Sequence, residues 1–418
     1  MPRFSPHRLL LAAAVASCLS VAAMAQTTAT RFALADRIDE VLDDDDFAGA
    51  RWGVYVEDLA TGDVLYARSP SDGFIPASNM KLVTTAAALD VLGPEFRFET
   101  QLLYEGDIAF GTLDGRLVIR GNGDPRFGGR YSGNDLSLVF RQWAGALQEI
   151  GVQRVQGAII VTDDVMESPD TYFVRRMRRV FRQEGVDVIG DTVRVAQGGL
   201  YPGINDLPHV ATHTSPPLAS FVSEINTESN NLFAERTLRT VASYVFPTSG
   251  PVRPELRRQT ADALLRRFGV DPWTFVVDDG SGLSRRNRMT PVGTVGLLRG
   301  MWTYPDPAVR DAFVESLPVG GYTGTLERRY RTGDARGNVR AKTGYVRRVR
   351  TLSGYVTTAA GRELAFSLMC NGYRVSVRRV NRAQDAVVEL LADHVGRPRD
   401  TSRRRTWPQR RSEAARSG

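Results

Sequence analysis

From Ser78 to Leu92 apolar residues fall on nearly every side of a helix: Met80, Leu82, Val83, Ala86, Ala87, Ala88, Leu89, Val91 and Leu92. A helix without a polar face is a buried one. Just before it, the runs 53–59 and 64–67 flank Thr61-Gly62-Asp63 and predict a hairpin that leads directly into this helix. Further upstream, 32–42 predicts a helix ended by the acidic run 43–46. Those acids lack the spacing of a calcium loop and read as a solvated helix end.

The texture changes between about residues 97 and 207. Phe98, Thr100, Leu102 and Tyr104 alternate as a strand, and Gly115 opens a return through 116–120. A helix over 135–150 lines up Leu136, Val139, Phe140, Trp143, Leu147 and Ile150, and a strand is predicted over 157–161. A basic amphipathic helix follows, with Phe173, Val174, Met177, Val180 and Phe181 on one side. This is a separate small α/β unit. Beyond it the pattern predicts a helix over 229–239, strands entered at 340–342, 351–357 and 363–369, and a helix over 375–395 carrying Val380, Ala383, Val387, Leu390 and Leu391. The plan is α+β: an antiparallel sheet with helices on both faces, a helical subdomain and the inserted α/β unit. The main domain is assigned to 31–96 and 208–396, with 97–207 as the insertion.

At 418 residues the chain is long enough for such a two-part plan. Arg3 and Arg8, an apolar run over 9–22 and Ala23-Met24-Ala25 form a signal-peptide pattern, so residues 1–25 are read as a leader and the protein as exported, to the periplasm or the extracytoplasmic face. Val15-Ala16-Ser17-Cys18 loosely matches a lipoprotein box, but the residues after Cys18 stay apolar, which favours the plain leader. Loss of Cys18 leaves Cys370 without an intramolecular partner, in the apolar run AFSLMC that predicts a buried thiol. The net charge of +7 owes much to 397–418, where Arg397, Arg399, Arg403, Arg404, Arg405, Arg410, Arg411 and Arg416 stand among Pro, Ser and Thr. This tail reads as disordered, either solvated or in contact with an anionic envelope surface. No nucleic-acid-binding signature accompanies the charge.

Ser78 and Lys81 stand three apart at the start of the apolar helix and project from one face. A lysine in such surroundings loses solvation as a cation and is pushed toward the neutral amine, which can take a proton from a hydroxyl. Taken alone, the pair reads equally well as a serine cap with an outward lysine. Downstream stand Ser229-Asn230-Asn231, which fits S-x-N, and Lys342-Thr343-Gly344, which is K-T-G. Other candidates fall away: His209 and His213 lack the glutamate of a zinc helix and precede the loop-forming Ser215-Pro216-Pro217, and Gly121-Asn122-Gly123-Asp124-Pro125 lacks the spacing of a dinucleotide fingerprint. Neither a metal nor a cofactor is predicted.

Together with NTESNNLFAE (226–235), DDGSGLSRRNRMTP (278–291), LPVGGYTGTLERR (317–329) and AKTGYVRRVRTLSGYV (341–356), the three motifs resemble the D-alanyl-D-alanine carboxypeptidase/endopeptidase family, the low-molecular-mass class C penicillin-binding proteins, over about residues 35–396. The resemblance implies the penicillin-binding/serine β-lactamase-like transpeptidase fold and action on peptidoglycan stem peptides, with β-lactams as covalent inhibitors. It makes Ser78 the nucleophile, Lys81 its base and Ser229 the proton relay. Asn231, Lys342, Thr343 and Gly344 become substrate contacts, and the N–H groups of Ser78 and Tyr345 the oxyanion hole. By like-charge repulsion Lys342 is also expected to help keep Lys81 neutral. Two departures stand out: Tyr345 occupies a position where many relatives carry Thr or Ser, and after Asp163-Asp164 the insertion is shorter than in larger members. Alternatives are a serine β-lactamase or esterase, or a catalytically degenerate sensor. Against the lactamase, no acid between Asn231 and Lys342, including Glu235, Glu255 and Asp262, lies in an E-x-x-L-N context.

Overall fold

The computed structural model describes residues 34–127, 136–162, 171–190, 193–196, 201, 203–247 and 253–395. The predicted leader, Cys18 and the arginine-rich tail lie outside them. Residues 34–42 form helix α1. β1 (Arg51–Asp58) and β2 (Val64–Arg68) make the expected hairpin, and a 3₁₀ turn (Ala77–Asn79) runs into α2 (Met80–Leu92). Then come β3 (Arg97–Ala109), β4 (Thr112–Gly121), α3 (Ser137–Glu149), β5 (Arg154–Val155), β6 (Ile159–Thr162), α4 (Thr171–Gln183), β7 (Asp187–Val188), β8 (Val193–Ala196) and β9 (His209–Pro217). The helices α5 (Leu218–Thr227), α6 (Asn231–Val245) and α7 (Pro254–Arg267) lead to a short hairpin of β10 (Phe275–Val276) and β11 (Arg288–Met289). After α8 (Pro291–Trp302) and α9 (Pro307–Glu315), the chain closes with β12 (Arg340–Val346), β13 (Val349–Thr357), β14 (Glu363–Asn371) and α10 (Val377–Ala392). No described helix is long and apolar enough to cross a membrane.

The main sheet has the order β12-β13-β14-β1-β2, antiparallel throughout. Side chains alternate between its faces. Trp52, Val54 and Val56 of β1 and Leu364, Phe366, Leu368 and Cys370 of β14 enter a core completed by Ile38 and Leu42 of α1 and Val380, Val387 and Leu391 of α10. The intervening Ala365 and Met369 enter a second core with α2, α5, α6, α7, α8 and α9. Covering on both faces explains why β1 and β14 read as continuous apolar runs. Cys370 is fully buried, which pushes its thiol up to about 12.

α2 lies inside the second core, with residues 80–89 buried. Full burial of each large aliphatic side chain contributes about 1.5–3 kcal/mol. Met80, Leu82, Val83 and Leu89 therefore outweigh the cost of burying Lys81 on the same helix.

The second sheet runs β7-β5-β4-β3-β9, with β6 on β4 and β8 on β6. α3 and α4 cover it through Phe140, Trp143, Leu147, Phe173, Met177 and Phe181. It extends past Leu207: His209–Pro217 is a strand paired with β3, so Ser215-Pro216-Pro217 ends a strand and is not the expected loop. Two further expectations are corrected. The helix predicted from Ser229 begins at Asn231, because Asn230 caps it by accepting from Phe233 N–H at 3.2 Å. The acidic run is not merely solvated: Asp43 pairs with Arg68, and Asp44 and Asp46 pair with Arg379 of α10.

Candidate active site

Ser78 sits in the 3₁₀ turn ahead of α2, after Ala77, which holds the left-handed φ of +47°. Such a turn is strained for a residue other than glycine and needs external supports. Thr351 Oγ1 of β13 donates to Pro76 O at 2.7 Å, and Asn79 Nδ2 donates to Ser353 Oγ at 2.6 Å, which lies 3.0 Å from Ser367 Oγ of β14. Two glycines let neighbouring chain approach. A Cβ on Gly282, whose φ is +87°, would lie 1.8 Å from Ala77 O. A Cβ on Gly344 would lie 2.1 Å from Thr351 Oγ1 and 2.7 Å from Pro76 O. The turn that carries Ser78 is thus held between the 277–287 loop and β12.

One helical turn on, the buried Lys81 Nζ lies 3.1 Å from Ser78 Oγ, 2.7 Å from Asn231 Oδ1 and 2.5 Å from the Ser281 carbonyl oxygen. Burial lowers its pKa from 10.5 to about 8, against the opposing charges of Asp279 and Glu235. That displacement corresponds to on the order of 3 kcal/mol. An ammonium has three donors for these three partners. On losing a proton it keeps two N–H groups for Asn231 and Ser281, and its lone pair is left toward the Ser78 hydroxyl.

Asn231 reaches Lys81 because it opens α6. Ser229 sits in the short turn between α5 and α6 at a φ of +60°, and its hydroxyl makes no hydrogen bond among the described residues. The structure therefore brings Ser78, Lys81 and Asn231 into one network and leaves Ser229 outside it.

Lys342 shares a sheet face with Ser353 and Ser367, its cross-strand neighbours, the face that carries α2. It is completely buried, and its Nζ donates to Thr343 O at 3.1 Å. Burial first, then the positive charges of Lys81 and Arg350, holds it well below the lysine range, with Glu228 opposing. Repulsion between the two amines is mutual, and with burial it pushes Lys342 toward the neutral form, in which it no longer opposes the Lys81 cation. Thr343 Oγ1 donates to Thr325 Oγ1 at 2.8 Å. The Tyr345 side chain is exposed, with the Arg350 guanidinium 5.8 Å from its ring centre. β12 is the edge of its sheet, and an edge strand offers free backbone groups to an extended peptide.

The motifs do not disclose several partners found here. Glu235, Asp279 and Ser281 surround Lys81, and Asn79, Thr351 and Ser353 brace the turn that carries Ser78. Glu235 falls in NTESNNLFAE four residues after Asn231, a spacing that puts both on one helix face. That spacing was the available signal.

A Ser-Lys pair at the head of a buried helix, packed against the edge of an antiparallel sheet with helices on both faces, defines the class of penicillin-recognising serine hydrolases. Residues 34–172 and 165–394 match the D-Ala-D-Ala carboxypeptidase 3 (S13) family, and the chain belongs to it, a family of serine peptidases. It is 28% identical to a D-alanyl-D-alanine carboxypeptidase of Actinomadura sp. (strain R39), over 87% of this chain and 85% of the relative. In fold it is similar to penicillin binding protein 4 of Haemophilus influenzae, with a TM-score of 0.70, 19% identity, and coverage of 84% of this chain and 97% of that one. A predatory peptidoglycan endopeptidase of Bdellovibrio bacteriovorus also shares the fold, with a TM-score of 0.56, 17% identity, and coverage of 82% and 93%. Structures of the Haemophilus protein with a β-lactam and of the Bdellovibrio enzyme acylated by penicillin G are known.

Proposed function

We propose that the protein is a D-alanyl-D-alanine carboxypeptidase that works through an acyl-enzyme on Ser78. The observation that carries this reading is Lys81 Nζ at 3.1 Å from Ser78 Oγ, with acceptors at Asn231 and Ser281 for its other two N–H groups. Ser78 Oγ attacks the carbonyl carbon of the penultimate D-alanine as its proton passes to Lys81. The oxyanion rests on the N–H groups of Ser78 and Tyr345. The C–N bond then breaks, and the departing D-alanine amine takes the proton held by Lys81, by way of Ser229 once the bound peptide draws that hydroxyl into the network. Water hydrolyses the ester and returns the proton to Ser78. Lys342 and Thr343 hold the terminal carboxylate, Asn231 the substrate backbone, and Gly344 lets the peptide lie against β12. The same steps cut a crosslink when the leaving amine belongs to a second stem peptide, which is the endopeptidase reading. Peptidoglycan as substrate places the enzyme outside the cytoplasm, so the mature chain should begin at Gln26; a modified Cys18 at its start would establish the lipoprotein instead.

Intact-mass spectrometry with excess penicillin, beside product analysis of purified muropeptides, tests the reading. The expected result is a long-lived penicilloyl adduct with release of terminal D-alanine. Rapid return of the free mass with the antibiotic consumed would indicate a β-lactamase. A lasting adduct without peptide turnover would indicate a sensor, and cut crosslinks an endopeptidase.

A further inference from the structure

Lys81 depends on a backbone carbonyl that has to be held in place by something else. Ser281 lies in the loop between β10 and β11, and its carbonyl accepts from Lys81 Nζ at 2.5 Å. Its own N–H donates to Glu235 Oε1 of α6 at 2.8 Å. The other Glu235 oxygen, Oε2, lies 3.4 Å from Arg257 Nη1 of α7. Asp279 organises the same loop internally, accepting from Gly282 N–H at 2.7 Å, Ser284 N–H at 2.6 Å and Asn287 Nδ2 at 2.7 Å. Thr84 Oγ1 of α2 donates to the Gly280 carbonyl at 2.7 Å. Asp279 therefore shapes the loop, and Glu235 ties the loop's acceptor residue to the helix that also carries Asn231.

We infer that Glu235 is a positioning residue for the Lys81 base: α6 supplies one Lys81 acceptor directly through Asn231 and aims the second, the Ser281 carbonyl, through Glu235. The inference rests on the acyl-enzyme reading above. A carboxylate here does more than a neutral anchor would. Around Lys81 stand Asp279 from the loop, Lys342 from β12 and Ser78, with Arg257 beside Glu235, the half-buried Asp278 paired with the exposed Arg286 on the same loop, and Glu228 facing Lys342. The negative charge of Glu235 opposes the effect of burial on Lys81. Its removal moves the amine further toward neutrality.

The test is the rate of acylation by a fluorescent penicillin as a function of pH, for the wild type, Glu235→Gln and Glu235→Ala, with a thermal melt of each. Glu235→Ala should lower the high-pH plateau about tenfold, the size of one lost hydrogen bond to a charged group. Glu235→Gln, which keeps an acceptor for Ser281 N–H, should recover most of that loss while moving the acid midpoint to lower pH. Equal plateaus in all three, or a Glu235→Gln profile that superimposes on the wild type, would overturn the proposal. If Glu235→Ala melts below the assay temperature, the midpoint of Glu235→Gln decides alone. A wild type that never labels would overturn the acyl-enzyme reading itself, an outcome distinct from a wild type that labels beside unchanged variants.

Discussion

The head of α2 and the edge strand β12 each bury a lysine completely, and the two surroundings differ in what governs a proton. Lys81 has three oxygen acceptors and two carboxylates whose charges favour the cation. Lys342 has the Thr343 carbonyl as its hydrogen-bond acceptor, with positive charges from Lys81 and Arg350 against it. Desolvation dominates at both, yet Lys81 stays near 8, where a small change of pH switches it, while Lys342 is held well below the lysine range. A base has to give up its proton close to working pH. An anion binder needs the reverse: a site poor in negative charge until the anion arrives. The difference lies in the residues supplied by α6, the 277–287 loop and β13, and not in the lysines.

The largest expected effects break the head of α2. Ser78→Ala should abolish covalent labelling by a fluorescent penicillin, and Lys81→Met should slow it by roughly 10²- to 10⁴-fold with the fold intact by circular dichroism. Normal labelling of Lys81→Met would move the base role to Ser229 and dissolve the comparison. Next in size, Lys342→Met should lower kcat/KM by on the order of 10- to 100-fold for a peptide with a free terminal carboxylate, the range of a charge-assisted hydrogen bond. Steady-state kinetics should find the loss mainly in KM and much smaller for an analogue with that carboxylate capped; equal losses on both would make the two lysines one unit.

A third measurement sharpens the contrast. On the proposed mechanism Lys81 acts as the neutral amine, so the acylation rate should rise with pH and level off above a midpoint of about 8. Lys342→Met should leave that midpoint unmoved in a stopped-flow pH series. A higher midpoint in the variant would restore the repulsion of Lys81 by Lys342, since loss of a positive neighbour raises an amine's pKa. The smallest expected effect is a fraction of a proton taken up when a carboxylate ligand binds and charges Lys342. Calorimetry in two buffers of different ionisation heat should detect it in the wild type and miss it in Lys342→Met.

Local strings carried much of this arrangement. The largely apolar character of α2 and of 364–370 announces elements covered on all sides, and S-x-x-K, S-x-N and K-T-G are each short enough to be read directly. What escaped works through backbone atoms or long separations. The Ser281 carbonyl and N–H belong to the main chain, which every residue has, so side-chain type gives no hint of them. Ser229 is a good cap by type, but Asn230 takes that role and Ser229 adopts a left-handed turn instead. Ser215-Pro216-Pro217 looks like a loop because proline lacks a donor, and it is tolerated here because β9 is the edge of its sheet. The pairing of Asp44 and Asp46 with Arg379 joins segments no local pattern could connect.

The central sheet also sets a timetable. β1 lies between β2 and β14, and its partner in register, from Arg51 opposite Asn371 to Asp58 opposite Leu364, is the last described strand to be made. Ser353 and Ser367, which brace the turn that carries Ser78, arrive with the same late segment. At synthesis rates of about 5–20 residues per second, the early hairpin and α2 wait on the order of tens of seconds for that strand. Until then Ser78 is one serine in an unfinished chain. On the proposed function, reactivity toward penicillin appears only on completion, so a labelled penicillin would also stain molecules that have finished folding.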